Sequence, residues 1–163
     1  MNVFLKNSAI LATMALAACA SDRAGGGGAA AGMEVMRTHL GQPIARGQIA
    51  VEAFDAADAA TPEFAGYAAT VGQQLGRLGW TVLPARGAGE QVALVNVSQA
   101  GTATRLEVGL KRRSEGSVFW QGQATAEPGS HGSGSSRAAA VQRLAEAVFR
   151  DFPGESGRTI RLR

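Results

Sequence analysis

The sequence has little of several residue types on which enzymes and small disulfide-bonded domains depend. Its 163 residues include one cysteine, Cys19, and two histidines, His39 and His131. A single cysteine cannot form an intramolecular disulfide, and two isolated histidines lack the companion ligands that a zinc or iron site needs. We therefore predict no metal, no cofactor and no disulfide framework.

Basic residues are present without the pattern that is typical of nucleic-acid binding. The formal net charge is +3, and most cations are arginines scattered among acidic residues. Because no long run of lysine and arginine occurs, we predict no nucleic-acid partner. The tightest basic cluster is Lys111, Arg112 and Arg113. It is interpreted either as the solvated tip of a hairpin or as a contact with anionic lipid headgroups or glycan.

Catalytic motifs are also lacking. No serine lies in a G-x-S-x-G pattern, and the loop 129–137 lacks the lysine and the spacing of a Walker A loop. Asp55 and Asp58 are close in sequence, but acidic residues in a polar loop are more often solvated turn residues than a general acid–base pair. We therefore predict that the protein is not an enzyme and has no catalytic residues.

The start of the chain contains the most specific signal. Lys6 precedes a short apolar run, Ala9 to Ala18, well below the ~20 residues that a membrane-spanning helix needs. The residues Leu16-Ala17-Ala18-Cys19 match the bacterial lipobox, in which the cysteine thiol is diacylated. We predict that residues 1–18 are a lipoprotein signal peptide and that Cys19 is the lipid attachment site. The alternative is a free or buried cysteine that happens to follow a leader.

The anchor and the residues after it predict where the protein works. Ala20 follows the cysteine in place of the aspartate associated with retention in the inner membrane. We therefore expect the periplasmic face of the outer membrane, with the inner membrane as the alternative, and the lipid bilayer as the first partner. Residues 20–32 are rich in glycine and alanine, so we predict a lipid-anchored flexible tether over 19–45 and a single periplasmic domain over 46–163.

Hydrophobic periodicity over residues 46–163 predicts the fold class. One helix is expected from Thr61 to Leu78, and a second from about Ser136 to Phe152. Strands are expected over Gln48–Phe54, Trp80–Leu83, Gln91–Val97, Thr104–Lys111 and Ser117–Ala126, and Thr159–Leu162 could add a short one. The predicted fold is α+β, with two helices packed on one face of a mostly antiparallel sheet of about five strands.

Phe119 and Trp120 form the most distinctive pair in the predicted domain. Neighbouring residues on a strand point to opposite faces, so Val118 and Trp120 are expected on one face and Phe119 on the other. If Trp120 packs under the helices, Phe119 lies on the uncovered face with Val95 and Val97 as neighbours, where it could receive a partner or a lipid. The alternative is that loops or the N-terminal segment cover Phe119.

Several motifs together resemble a known family. They are the lipobox leader, GQIAVEAF, the helix ending in LGRLGWTVL, SVFWQGQA, and the final helix with its continuation VFRDFPGESGRTIRLR. The sequence from about Arg46 to the C-terminus resembles bacterial lipoproteins of domain-of-unknown-function family 4136. Its best motif is the strand Phe119-Trp120-Gln121-Gly122, followed by a helix that closes in Phe152-Pro153-Gly154. The resemblance implies an envelope lipoprotein and brings no activity and no catalytic residues.

Three hypotheses for function follow from these observations. The leading one is a non-catalytic envelope lipoprotein whose periplasmic domain binds an unknown envelope protein or glycan through Phe119, Trp120, Lys111, Arg112 and Arg113. The second is a binder of a small apolar or lipidic ligand between the helices and the sheet. The least favoured is an envelope hydrolase, because it would need a cluster of His131 with a serine and an acid that the sequence does not indicate.

Overall fold

The computed structural model describes residues 32–84, 87–126 and 136–162. They form an α+β domain with two α-helices, as predicted, and one mixed seven-stranded sheet. The helices are α1 (Pro62–Arg77) and α2 (Arg137–Phe149), and a short 3-10 helix covers Asp58–Ala60. The strands are β1 (Met33–His39), β2 (Gln48–Ala53), β3 (Thr81–Leu83), β4 (Gln91–Ala100), β5 (Ala103–Arg112), β6 (Val118–Ala126) and β7 (Thr159–Leu162). The predicted signal peptide, Cys19 and His131 lie outside the described residues.

The sheet is larger and less uniform than predicted. Its strand order is β3-β2-β4-β5-β6-β1-β7. Strand β2 is parallel to both β3 and β4, whereas the other four pairs are antiparallel. The expected sheet of about five strands is therefore wrong in number. The pair of β2 with β3 is parallel because α1 carries the chain back over the sheet between these two strands.

Strand β1 corrects the predicted boundary between tether and domain. Residues Met33–His39 pair with β6 on one side and with β7 on the other, so they lie inside the sheet. Val35 is 1% exposed and Arg37 is 4% exposed. The prediction of a tether over 19–45 is thus wrong for these residues, and the folded domain already includes Met33. The sequence hides this strand because a charged residue, Arg37, occupies one of its core positions.

The two helices pack on one face of the sheet, here called the covered face. Helix α1 begins as predicted, since the Oγ1 of Thr61 accepts a hydrogen bond from the N–H of Phe64 at 3.2 Å and Pro62 occupies the first turn. Side chains of both helices and of β4, β5 and β6 form a single apolar core. None of the helices in the described residues is long and apolar enough to cross a membrane.

Trp120 is the largest fully buried side chain of this core. Its ring stacks on Phe149 at 5.5 Å between centroids, and its Nε1 donates a hydrogen bond to the carbonyl of Pro153 at 3.0 Å. The ring also lies directly over Gly122, where a Cβ atom would collide with it. The Trp-x-Gly motif is therefore a packing requirement, because only glycine leaves room for the indole.

Arg37 caps the end of α2, which lies at Phe149 and not at Phe152 as predicted. Its buried guanidinium donates hydrogen bonds to the carbonyls of Val148, Ala147 and Arg150 at 2.8, 2.8 and 2.9 Å. The carbonyls of Ala147 and Val148 belong to the last turn of the helix, which has no further helical partners for them, and Arg150 directly follows that turn. Burial lowers the pKa of Arg37 from its usual value, while Asp151 raises it and Arg150 lowers it. The side chain stays charged, since an arginine pKa starts far above neutral.

Candidate functional site

The two ends of the sheet differ in what they carry. At one end, here called the Met33 end, Met33 pairs with Ala126 and Leu162. At the opposite end, here called the hairpin end, His39 pairs with Trp120 beside the turn that joins β5 to β6. The seven residues of β1 separate the two ends by about 20 Å, at about 3.3 Å per residue.

A β-bulge at the hairpin end decides where Phe119 points. Trp120 lies opposite Leu110, but Val118 lies opposite Lys111, so Phe119 is the extra residue of the bulge. The prediction that Val118 and Trp120 share a face is therefore wrong. Trp120 is on the covered face, whereas Val118 is 51% exposed on the other face, here called the open face.

Phe119 forms part of the wall of a cleft at the hairpin end. The cleft has a volume of about 240 Å³ and lies between the segment 40–45 and the turn from β5 to β6. It is lined by Leu40, Gln42, Pro43, Ile44, Ala45, Gln91, Arg112, Glu115, Ser117, Val118 and Phe119. The N-terminal segment thus reaches Phe119, as the alternative prediction had it, but leaves the ring half-buried in a recess.

The expected neighbours of Phe119 lie elsewhere. Val95 is 2% exposed in the core of the covered face, and Val97 packs against the same core. Trp120 is fully buried, so it cannot contact a partner without unfolding of the core. Of the two aromatic residues that the sequence proposed for binding, only Phe119 is accessible.

The three residues of the basic cluster have different surroundings. The guanidinium of Arg112 lies 5.8 Å from the ring centroid of Phe119 and 3.4 Å from the carboxylate of Glu115, at the rim of the cleft. Arg113 instead forms an ion pair with Glu52 at 2.7 Å and donates to the carbonyl of Gly89. Lys111 lies opposite Val92 on the open face. Only Arg112 of the three lines the cleft.

The ion pair between Arg113 and Glu52 fixes the base of the hairpin. The hydrogen bond from Arg113 holds the pKa of Glu52 below its usual value, against the opposing effect of burial, and the N–H of Gly87 adds a second hydrogen bond at 2.8 Å. Because Arg113 is committed to these contacts, the sequence prediction that it binds a partner loses its geometric basis.

Gln91 positions the opposite wall of the cleft. Its Oε1 accepts a hydrogen bond from Nε1 of Trp80 at 2.8 Å, and its Nε2 donates to the carbonyl of Ala45 at 3.0 Å. Gln91 is nearly buried, so these bonds are shielded from water and hold the segment 40–45 against the end of β4. Sequence reasoning did not find this residue or Leu40, which is 77% exposed at the mouth of the cleft.

His39 is occupied by structural hydrogen bonds. Its Nδ1 accepts from the N–H of Gly41 at 3.1 Å, so its Nε2 is the donor to the carbonyl of Gly154 at 2.9 Å. His39 ends β1 and ties it to the C-terminal segment. Within residues 32–84, 87–126 and 136–162, no group of three or more His, Cys, Asp or Glu side chains is arranged to hold a metal ion.

Similarity to known proteins is limited to one segment and to the fold. No family model matches the chain. An uncharacterized protein of Zymomonas mobilis is 42% identical over 60 residues, which amount to 37% of this chain and 23% of that protein. This chain therefore spans less than a quarter of the length of that relative. The resemblance to family 4136 stays a prediction.

Two solved structures are similar to parts of the chain. A PelC dodecamer from Paraburkholderia phytofirmans has a TM-score of 0.49 and 16% identity, with 71% of this chain and 94% of that chain covered. A PDZ domain protein from Parabacteroides distasonis has a TM-score of 0.53 and 9% identity, with 80% of this chain and 39% of that chain covered. At such low identity, similarity concerns the fold alone and assigns no activity or partner to this chain.

Proposed function

We propose that the protein is a non-catalytic cell-envelope lipoprotein of the kind represented by family 4136. It is anchored through acylated Cys19 in the outer membrane and binds an envelope protein or glycan through the cleft at the hairpin end. The observation that carries this proposal is the position of the cleft. The chain passes into β1 at the Met33 end, so a tether that leads from Met33 to a membrane leaves the cleft about 20 Å away, at the far end of the sheet.

This orientation weakens one interpretation of the basic cluster. Lys111, Arg112 and Arg113 lie at the hairpin end, and Arg113 is paired with Glu52. Contact with the headgroups of the anchoring membrane would require the domain to turn over on its tether and Arg113 to leave its ion pair. The cleft instead offers a partner the ring of Phe119 and the exposed side chain of Leu40, with Arg112 at the rim.

The anchor is tested by metabolic labelling with palmitate. The wild-type chain should carry the label and fractionate with membranes, whereas Cys19→Ser should lose the label because a hydroxyl cannot form the thioether. Persistent labelling of Cys19→Ser would contradict the anchor.

Partner binding is tested by photo-crosslinking in intact cells. A photoreactive side chain at Leu40 should capture a defined envelope protein or glycan, while the same group at Thr102, in the β4–β5 turn at the Met33 end, serves as the matched exposed control. Capture at position 40 should fall when Phe119 is changed to alanine. Equal capture from both positions, or capture that ignores Phe119→Ala, would contradict the role of the cleft.

A second candidate, a binder of a small apolar ligand, is favoured by a recess between the helices and the sheet. The recess has a volume of about 210 Å³. Phe64, Tyr67, Val95 and Val97 form its apolar part, and the rest of its lining is polar, from Asp58, Thr61, Glu63 and Arg137. Native mass spectrometry of the protein purified from cells should reveal a bound lipid or apolar metabolite. Val97→Arg should displace it, whereas a mass equal to that of the bare chain would exclude this function.

A further inference from the structure

The open face of the sheet is polar, and most of its charges cancel. Asn96 donates a hydrogen bond to Glu107 at 3.0 Å, and Arg105 lies 3.9 Å from the same carboxylate. Arg161 pairs with Glu34 at 2.7 Å. The pair of Glu52 with Arg113 adds a third neutralised site. Among the described residues of this face, Lys111 is the one charged side chain that takes part in none of these ion pairs.

Exposed apolar side chains interrupt this polar surface, among them Met36 of β1. Phe54 follows β2 and is 73% exposed, and Val118 is 51% exposed. A groove of about 120 Å³ lies between them, with Gly109 of β5 as its floor. Its remaining lining comes from Leu94, Val108, Asn96, Glu107 and Gln121. The groove thus combines an aromatic ring, three aliphatic side chains, two amides and a carboxylate.

We propose that this groove binds a neutral glycan. A sugar ring has an apolar face of C–H groups and an edge of hydroxyl groups. Phe54 and Val118 can cover the C–H face, while the side chains of Asn96, Glu107 and Gln121 supply both hydrogen-bond donors and acceptors for hydroxyl groups. A site of this kind goes beyond the partner cleft, since it lies along the open face and shares only Val118 with the cleft at the hairpin end.

The charge distribution disfavours other occupants of the groove. An anionic polymer needs several cations that are free to pair with it, but Arg105, Arg113 and Arg161 already face carboxylates, which leaves Lys111 as a single cation on this face among the described residues. A stable protein partner usually buries about 800 Å² on each side around an apolar centre. A groove of about 120 Å³ whose walls include Asn96, Glu107 and Gln121 does not form such a centre.

Glycan binding is measured directly on the full chain. The protein, purified in a zwitterionic detergent, is titrated with chitotetraose, cellotetraose and maltotetraose, and its backbone amide chemical shifts are recorded. At least one of these neutral oligosaccharides should shift the amides of Phe54, Gly109 and Gln121 in a saturable manner. If none shifts them at millimolar concentration, or if the shifts are confined to Leu40 and Phe119, the proposal is overturned.

Gly109 offers a variant that blocks the groove without disturbing the fold. A Cβ atom at this position meets no other atom within 4 Å, and the backbone is not in the left-handed region. Gly109→Leu should therefore weaken oligosaccharide binding by at least about tenfold at unchanged melting temperature, and Phe54→Ser by about tenfold. Gly66→Ala, at an exposed glycine of α1 that also has free space, is the control and should bind as the wild type does.

These variants also separate the groove from the partner cleft. Crosslinking from Leu40 in cells should persist in Gly109→Leu, and oligosaccharide binding should persist in Phe119→Ala. If Gly109→Leu stays folded and binds oligosaccharide as tightly as the wild type, the groove is not the site. That result would leave the proposed role of the cleft untouched.

Discussion

The two faces of the sheet use the same strands in opposite ways. In β5, Leu106, Val108 and Leu110 are fully buried under the helices, while Glu107 and Gly109 on the open face keep contact with solvent. The covered face therefore holds most of the free energy of folding, because apolar burial is its main source. The open face is free of that requirement, so its side chains can serve recognition.

The same contrast appears within two adjacent residues of β6. Trp120 is fully buried, and Phe119 beside it lines a cleft. The bulge between them separates a residue that holds the core from one that a partner can reach. Substitutions on the two sides of this division should have very different effects on stability.

The largest effect is expected for Trp120→Ala. The indole fills the core between Phe149 and Gly122, so its loss should lower the free energy of unfolding by about 3–5 kcal/mol. Phe54→Ala on the open face is the matched control and should change it by about 0.5 kcal/mol or less. Denaturant unfolding followed by circular dichroism measures both, and similar losses in the two variants would remove the distinction between the faces.

Arg37→Met should have the next largest effect, about 3 kcal/mol. The methionine fills similar space but leaves the buried carbonyls of Ala147 and Val148 without their donors. Arg105→Met on the open face is the control and should cost about 0.5 kcal/mol or less, since its pair with Glu107 is 3.9 Å long and partly exposed. Amide hydrogen exchange should show faster opening at the end of α2 in Arg37→Met alone.

The elements with strong local signals could be predicted from the sequence. Thr61 and Pro62 indicate the start of α1, and the alternation from Thr104 to Lys111 indicates β5. Thr159–Leu162 forms β7 with the expected bounds. These signals are contained in a few consecutive residues, so they do not depend on what the chain does elsewhere.

The features that were missed depend on residues far apart in the chain. Strand β1 pairs with β6 and β7, more than eighty residues later, and its buried arginine makes sense only beside the end of α2. The cleft likewise needs the segment 40–45 beside the turn between β5 and β6. The bulge at Phe119 shifts the register by one residue, which moves Val118 to the other face, and no residue type in this segment indicates it.

Gly122→Ala tests the packing of the covered face at the scale of one methyl group. The added Cβ collides with the ring of Trp120, so we expect a loss of about 1–3 kcal/mol in the wild-type background. In the background of Trp120→Ala the collision partner is absent, and the same change should cost almost nothing. The double-mutant cycle should therefore give a coupling as large as the single-site effect. Additive losses would show that Gly122 is required for some reason other than the indole.

The smallest effect concerns the ion pair between Glu52 and Arg113 on the open face. Arg113 lowers the pKa of Glu52 in the folded state, so the pair stabilises the protein above the usual glutamate pKa of 4.5. This contribution, about 1 kcal/mol for a partly buried pair, should be lost as the pH falls through the lowered folded-state pKa of Glu52. The difference in unfolding free energy between wild type and Glu52→Gln should therefore be smaller at about pH 3 than at about pH 7. Glu115→Gln is the control, since it alters the more exposed pair with Arg112. Its difference in unfolding free energy from the wild type should depend less on pH. A difference between wild type and Glu52→Gln that stays constant with pH would mean that Glu52 supports the hairpin through packing and not through its charge. In that case the open face would stabilise the fold in the same way as the covered face.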